Sequence, residues 1–141
     1  AIPVACHPVK LGGVPYFDGG LTDAIPVRHA LEEGCSRLVV ILSKSRDYVK
    51  KPQSMRLLYR TACRKYPNIV NAIRRRHRVY NENFKEVFAL EREGKAFVFA
   101  PSQHSGVSTY SMDEKAEQAL YDLGLKDFQE RKEELLAFLG K

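Results

Sequence analysis

The residues best suited to chemistry lie in one short segment, Asp18-Gly19-Gly20, which directly follows the mostly apolar residues 14–17. A strand that ends at a carboxylate carries it to the edge of the sheet where α/β proteins bind ligands. Glycines can turn tightly or take a positive φ, and they place no side chain between Asp18 and a reacting group. The pattern favours Asp18 as a general base, although an acid before glycines also commonly begins a simple turn.

Residues 14–27 resemble the Asp-Gly-Gly segment of bacterial patatin-like phospholipases, including the Ile25-Pro26-Val27 that follows the glycines. The resemblance implies that Asp18 is the acid of a Ser–Asp catalytic dyad in a lipid acyl hydrolase. In that family a Gly-x-Ser-x-Gly elbow and a glycine-rich oxyanion loop precede the acid, and this sequence contains neither. We therefore expect the chain to be the C-terminal portion of a longer hydrolase and to be inactive alone.

Two elements are predicted to hold Asp18 in position. Glycines after Leu11 predict a β-hairpin that pairs residues 9–10 with residues 14–17. The sequence beyond Gly20 predicts a helix over residues 23–33, with Pro26 in its first turn and a glycine at its end. The cap of this helix is predicted to be one of two side chains, Thr22 or Asp23.

Continuous apolar runs at residues 37–43 and 96–100 predict strands that are buried on both faces, as in a parallel sheet. The predicted fold class is therefore α/β, with a partial parallel-type sheet covered by helices and a helical C-terminal half. The resemblance implies, further, a fragment of the three-layer α/β/α patatin-like fold. Such strands need neighbours on both edges, so we expect exposed strand edges that pair with the missing N-terminal half or with another copy.

Helical patterns follow each predicted strand. Residues 68–93 form the longest one, capped by Asn68, and a shorter helix precedes it at residues 54–66. After the second strand, Gly124 is predicted to divide two helices, at residues 113–123 and 126–139. One apolar stripe on the longest helix recurs at steps of three and four, and it comprises Ile69, Ile73, His77, Tyr80, Phe84, Val87 and Phe88.

Length and composition set the limits of the fold. A chain of 141 residues predicts a single domain, and an apolar content of 44% excludes a wholly disordered chain. No signal pattern and no long apolar run is present, so neither export nor a membrane span is predicted. Three widely spaced cysteines, which we expect to be small apolar residues, predict neither a disulfide framework nor a zinc site. They indicate a reducing, cytoplasmic setting, peripheral to the membrane if lipid is bound. No cofactor and no metal is predicted.

The net charge of +6 favours anionic partners. Solvated surface is one interpretation of the basic residues, and contact with lipid headgroups or an anionic membrane surface is the other. Nucleic-acid binding is disfavoured, because no glycine- or aromatic-patterned motif accompanies them. A non-catalytic module that binds anionic lipid surfaces or nucleic acid is therefore the alternative function. The candidate surface contacts are Lys50, Lys51, Arg74, Arg75, Arg76 and Arg78.

Other nucleophiles and bases are weaker candidates. Neither Ser102 nor Ser105 has a glycine two residues before it, as a nucleophile elbow requires. A histidine beside Ser105 is no triad signal, since triad partners are neighbours in space rather than in sequence. We expect structural roles for the histidines His7, His29, His77 and His104.

Overall fold

The computed structural model describes residues 8–54, 56–103 and 113–140. Short strands and helices alternate along the chain, so the predicted mixed α/β class is confirmed. The described strands form two sheets of two strands each, one antiparallel and one parallel. In chain order the elements are β1 (Val9–Leu11), β2 (Val14–Tyr16), α1 (Val27–Glu32), β3 (Leu38–Ile41), α2 (Arg56–Ala62), α3 (Pro67–Arg92), β4 (Ala96–Phe99) and α4 (Glu114–Leu139).

The chain divides into two compact units. The first unit comprises residues 1–30 and 49–86, and the second comprises residues 31–48 and 87–141. The helix α3 contributes to both, with the division after Glu86. The single domain remains a prediction, and each unit is described separately below.

The predicted hairpin is confirmed in the first unit. β1 and β2 are antiparallel, with Val9 opposite Tyr16 and Leu11 opposite Val14. The connecting glycines, at residues 12 and 13, have φ values of 56° and 82°. A two-residue turn with positive φ at both positions matches the twist of a hairpin, and glycine adopts it without strain.

The helix after the Asp-Gly-Gly segment is shorter than predicted. A 3-10 helix, Gly19–Leu21, comes first, and α1 begins only at Val27. Thr22 and Asp23, the two predicted caps, do not cap α1, because their side chains bind elsewhere. The Thr22 hydroxyl donates to the Gly19 carbonyl at 3.2 Å, and the Asp23 carboxylate accepts from Asn83 at 2.7 Å.

A small core includes the last residue of the 3-10 helix. Leu21, Tyr59 and Ile73 are buried together, and half-buried apolar side chains pack around them. Helix α3 begins at Pro67, so the predicted cap at Asn68 is wrong. Proline is favoured at the first helical position, because its missing N–H would have no intrahelical partner there.

The second unit contains the parallel pair. β3 and β4 align from Leu38 opposite Ala96 to Ile41 opposite Phe99. The prediction that both strands are buried on both faces is right for β4, where Ala96, Phe97 and Val98 are buried, and wrong for β3. Ile41 is 79% exposed, because within the described residues β3 pairs only with β4 and one of its faces stays open.

The predicted break at Gly124 does not occur. α4 runs without interruption from its cap, Asp113, to Leu139. A glycine inside a helix costs only about 1 kcal/mol relative to alanine, which packing readily offsets. Phe128 and Phe138, both in the part of the helix after Gly124, lie 5.9 Å and 5.7 Å from the rings of Phe99 and Phe97 on β4.

Two of the three cysteines lie in the described residues and differ in environment. Cys63 is buried, and burial raises the pKa of its thiol. Cys35 is exposed. Among the helices of the described ranges, none combines the length and apolar character needed to cross a membrane.

Candidate functional site

The Asp18 carboxylate is fixed by its own turn. Asp18 follows β2 in an extended conformation, is half-buried, and caps the 3-10 helix. Its Oδ1 accepts a hydrogen bond from the Gly20 amide at 2.8 Å, and its carbonyl accepts from the Leu21 amide at 3.1 Å. Within the described residues no cation forms an ion pair with this carboxylate. The backbone of its own turn therefore orients the acid.

The two glycines of the motif have different roles. Neither has a positive φ, so conformational freedom of that kind is not what the turn requires, contrary to one of the predicted reasons. A Cβ on Gly20 would lie 3.2 Å from Oδ1 of Asp18 and 3.8 Å from Nη2 of Arg76, whereas a Cβ on Gly19 would meet nothing within 4 Å. The missing side chain of Gly20 makes room for the Asp18 carboxylate. Gly19 leaves open space where a side chain would otherwise stand.

Arg76 supports this turn from α3. Its Nε donates to the Gly20 carbonyl at 2.9 Å, and its side chain is half-buried. The sequence suggested a surface contact for Arg76, but the structure directs it to the Asp18 turn. The spacing of the sequence contained this information. Arg76 follows Ile73 by three residues and Ala72 by four, which places it on the side of α3 that packs in the small core.

Further along α3, polar side chains hold the segment between Gly20 and α1. The Asn83 amide donates to Asp23 at 2.7 Å and to the Ile25 carbonyl at 3.4 Å. Arg28 binds both oxygens of Glu86, at 3.0 Å and 2.9 Å. Sequence patterns did not identify these contacts, because their partners are about 60 residues apart and no local spacing links them.

The loop lysines differ from each other. The backbone of Lys50 is held at both ends by Asn81, with N–O distances of 2.9 Å and 3.1 Å, and its ammonium lies 4.9 Å from the centre of the Tyr80 ring. Lys51 is exposed. Only Lys51 keeps the open position that a headgroup contact needs.

Two clefts lie in the first unit, beside α2 and the first half of α3. The apolar cleft, of about 560 Å³, has Leu57, Tyr59, Val70 and Ile73 among its lining residues. The polar cleft, of about 430 Å³, contains three of the predicted surface arginines together with a histidine, and Asp18 lines neither cleft. Those four residues are Arg74, Arg75, His77 and Arg78.

The candidate Ser102 lies in the second unit. Ser102 is exposed, and its amide donates to Asp127 at 3.0 Å. His29, in the first unit, is exposed on α1. The remaining candidates, His7, His104 and Ser105, lie outside the described residues.

One ion pair of the second unit shifts the pKa values of both its members. Arg46 binds Glu91 through two hydrogen bonds, at 2.6 Å and 2.7 Å. These hydrogen bonds, which Arg46 donates and Glu91 accepts, lower the pKa of Glu91 and raise the pKa of Arg46. Within the described ranges no three His, Cys, Asp or Glu side chains form a group that could hold a metal ion.

Comparison with known proteins adds a family without a known function. Residues 66–140, more than half of the chain, match the family model described as "Domain of unknown function (DUF6363)". A 45-residue segment is 44% identical to "Uncharacterized protein YjjU" of Escherichia coli strain K12. The segment covers 32% of this chain and 13% of YjjU, so the chain matches a small part of that protein's length. No solved structure matches.

Proposed function

The chain belongs to the DUF6363 family, and we propose that it is the acid-bearing part of a longer patatin-like serine hydrolase that acts on lipid acyl esters. The observation that carries the proposal is the Asp18 turn. A half-buried carboxylate without a cationic partner among the described residues is held by Gly20, with open space at Gly19. The resemblance of residues 14–27 to the Asp-Gly-Gly segment of patatin-like phospholipases supports the same role.

In the proposed reaction, Asp18 accepts the proton of a serine hydroxyl while the serine oxygen attacks the acyl carbonyl carbon. Hydrogen-bond donors stabilise the negative charge that develops on the carbonyl oxygen. The bond to the leaving alcohol then breaks, and the alcohol takes the proton from Asp18. Water hydrolyses the acyl-serine by the same two steps. The serine and the oxyanion donors are assigned to a segment of the parent that precedes this chain.

The turn suits a base that acts without histidine. Oδ1 is bound to the Gly20 amide, so the carboxylate has one fixed direction and its second oxygen is left for the serine hydroxyl. A positioned base contributes about 10²–10⁴-fold to rate. Arg76 keeps Gly20 in place through the carbonyl, which makes it a positioning residue rather than a catalytic one.

The test compares two isosteric substitutions in the parent protein. Asp18→Asn removes the base but keeps an oxygen that can accept from the Gly20 amide. Asp23→Asn is the control, because an amide oxygen there can still accept from Asn83. With a short-chain ester as substrate, kcat/KM should fall by about 10²–10⁴-fold for Asp18→Asn and stay near wild type for Asp23→Asn.

The thermal unfolding midpoint of both variants shows whether the fold is intact. A folded Asp18→Asn protein that hydrolyses the ester at the wild-type rate would refute the assignment. Equal losses in the two variants would also refute it, because the loss would then come from the loop and not from the base.

A further inference from the structure

The basic charge of the protein is concentrated in one of its units. The first unit contains thirteen Lys and Arg and four Asp and Glu, a formal charge of +9. The second contains ten Lys and Arg and thirteen Asp and Glu, a formal charge of −3. Residues 48–81 include ten of the basic residues and no acid. The modest net charge therefore conceals a strongly basic unit.

Within that unit the apolar cleft has the volume and the buried apolar base that are typical of a ligand site. Its volume of about 560 Å³ lies within the usual range for small-molecule pockets, roughly 300–1,000 Å³. Tyr59 and Ile73 are buried at its base, whereas Leu57 is 76% exposed on its wall. An exposed leucine beside a buried apolar floor favours a hydrocarbon chain as the occupant.

Cations surround this floor without acidic partners. Arg60, Arg64 and Arg74 line the apolar cleft and are exposed, and none forms an ion pair within the described residues. Among the described residues, no Asp or Glu lines the cleft. A guanidinium offers two parallel N–H groups that match the oxygens of a phosphate. The positive charge of these arginines therefore favours an anion as the ligand.

The polar cleft extends this arrangement. The two clefts share Pro52, Asn71 and Arg74, so Arg74 stands where they meet. On the polar side Arg75 and Arg78 add two more guanidinium groups. A phosphate bound at Arg74 would have arginines on both sides and an apolar surface on one side only.

We propose that the joined clefts bind an amphiphile with one hydrocarbon chain and a phosphate head, the chain in the apolar cleft and the phosphate at Arg74. This site is separate from Asp18, and it does not depend on the proposed hydrolase activity. Single-stranded nucleic acid fits less well, because it binds on platforms of several aromatic rings, whereas Tyr59 is the one Phe, Tyr or Trp among the described residues that line the clefts.

The first experiment separates the two halves of the ligand. Isothermal titration calorimetry of the 141-residue chain is carried out with dodecyl phosphate below its critical micelle concentration, with inorganic phosphate, and with dodecyl maltoside. We expect dodecyl phosphate to bind at least ~10-fold more tightly than either of the others, because it alone engages both the arginines and the apolar floor. Equal affinity for inorganic phosphate, or for dodecyl maltoside, would overturn the proposal.

The second experiment removes three charges inside the clefts or three outside. The triple variant Arg60→Gln, Arg64→Gln, Arg74→Gln should bind dodecyl phosphate at least ~10-fold more weakly. The matched control is Lys10→Gln, Lys65→Gln, Lys85→Gln, whose three lysines are exposed and line neither cleft. The control should retain affinity within about threefold, since remote exposed charges are screened by salt.

A third pair of variants tests the chain position. Leu57→Asn removes an apolar wall of the cleft, whereas Leu58→Asn changes a neighbouring exposed leucine that does not line it. Only Leu57→Asn should weaken dodecyl phosphate binding, by about threefold or more. Equal losses in either matched pair would overturn the site, because charge or apolar surface in general would then explain the binding. Urea unfolding of each variant confirms that the chain remains folded.

Discussion

In the second unit three of the four arginines, Arg37, Arg46 and Arg131, are bound to the protein itself. Arg46 pairs with Glu91, and Arg131 donates to the Val98 carbonyl at 2.7 Å while its guanidinium lies 4.5 Å from the centre of the Phe97 ring. In the first unit Arg28 and Arg76 are used in a similar way, but the cleft arginines are not. The same residue type therefore stabilises packing where acids and strand carbonyls are near, and it stays exposed in the clefts, where they are absent among the described residues.

This contrast explains why the net charge of the whole chain was a poor guide to where basic residues are concentrated. A value of +6 for the whole chain is compatible with ordinary surface chemistry. Divided between the units it becomes +9 and −3, and the basic part coincides with two clefts. Long-range fields act through such local distributions rather than through the total.

The largest stability effect should come from Arg131. Arg131→Gln removes a charged hydrogen bond to β4 and a cation–π contact, so we expect a loss of about 1–2 kcal/mol in the free energy of unfolding. Arg78→Gln, in the polar cleft, should change it by less than about 0.5 kcal/mol. Urea denaturation measures both. Equal losses of stability in the two variants would show that the arginines of the two units do not differ in their contribution to stability.

A smaller, pH-dependent effect should follow from Glu91→Gln. The pKa of Glu91 is lowered in the folded protein by the hydrogen bond from Arg46, so folding favours the ionised carboxylate. That stabilisation is present above the ordinary pKa of glutamate and disappears as the pH falls through the lowered value. At pH 7 the variant should be less stable by about 1 kcal/mol or less, since the pair is partly exposed.

At acidic pH, below the lowered pKa, the stability curves of the wild type and Glu91→Gln should converge. Glu133→Gln is the control, because Glu133 is exposed on α4, and it should follow the wild type at every pH. A constant difference between wild type and Glu91→Gln down to low pH would contradict an ionic role for the pair.

The smallest effect concerns the glycines of the Asp18 turn. Gly19→Ala places its Cβ in open space at an ordinary φ, so it should stabilise the protein by about 0.4–1 kcal/mol through the unfolded state. Gly20→Ala brings its Cβ to 3.2 Å from Asp18 Oδ1 and should lose this gain. Urea denaturation compares them, and equal stabilisation by the two alanines would show that Gly20 does not restrict the carboxylate.

Local pattern was sufficient for part of the fold. The hairpin at residues 9–17, the strands β3 and β4 and most of α3 were predicted, because apolar periodicity and glycine turns act within a few residues. The continuity of α4 was not, since its packing against β4 outweighs the low helix propensity of Gly124. The open face of β3 was also missed, because a strand's sequence does not show whether its neighbours are present.

The candidate site divides in the same way. Asp18 and its glycines were identified from three adjacent residues, whereas Arg76, about 60 residues away, reaches them only through the packing of α3. Arg60 and Arg64 were missed because Arg60 lies on α2 and Arg64 in the turn after it, whereas Arg74 lies on α3. Their common cleft exists only after the two helices pack within the first unit.

The most direct measurement is covalent labelling of the parent protein with a fluorophosphonate ester, followed by mass spectrometric mapping of the modified residue. The Ser–Asp assignment predicts one phosphonylated serine in the wild type. It also predicts a labelling rate reduced about 10²–10⁴-fold in Asp18→Asn and unchanged in Asp23→Asn. A wild-type protein that is not labelled, or an Asp18→Asn protein labelled at the wild-type rate, would contradict it.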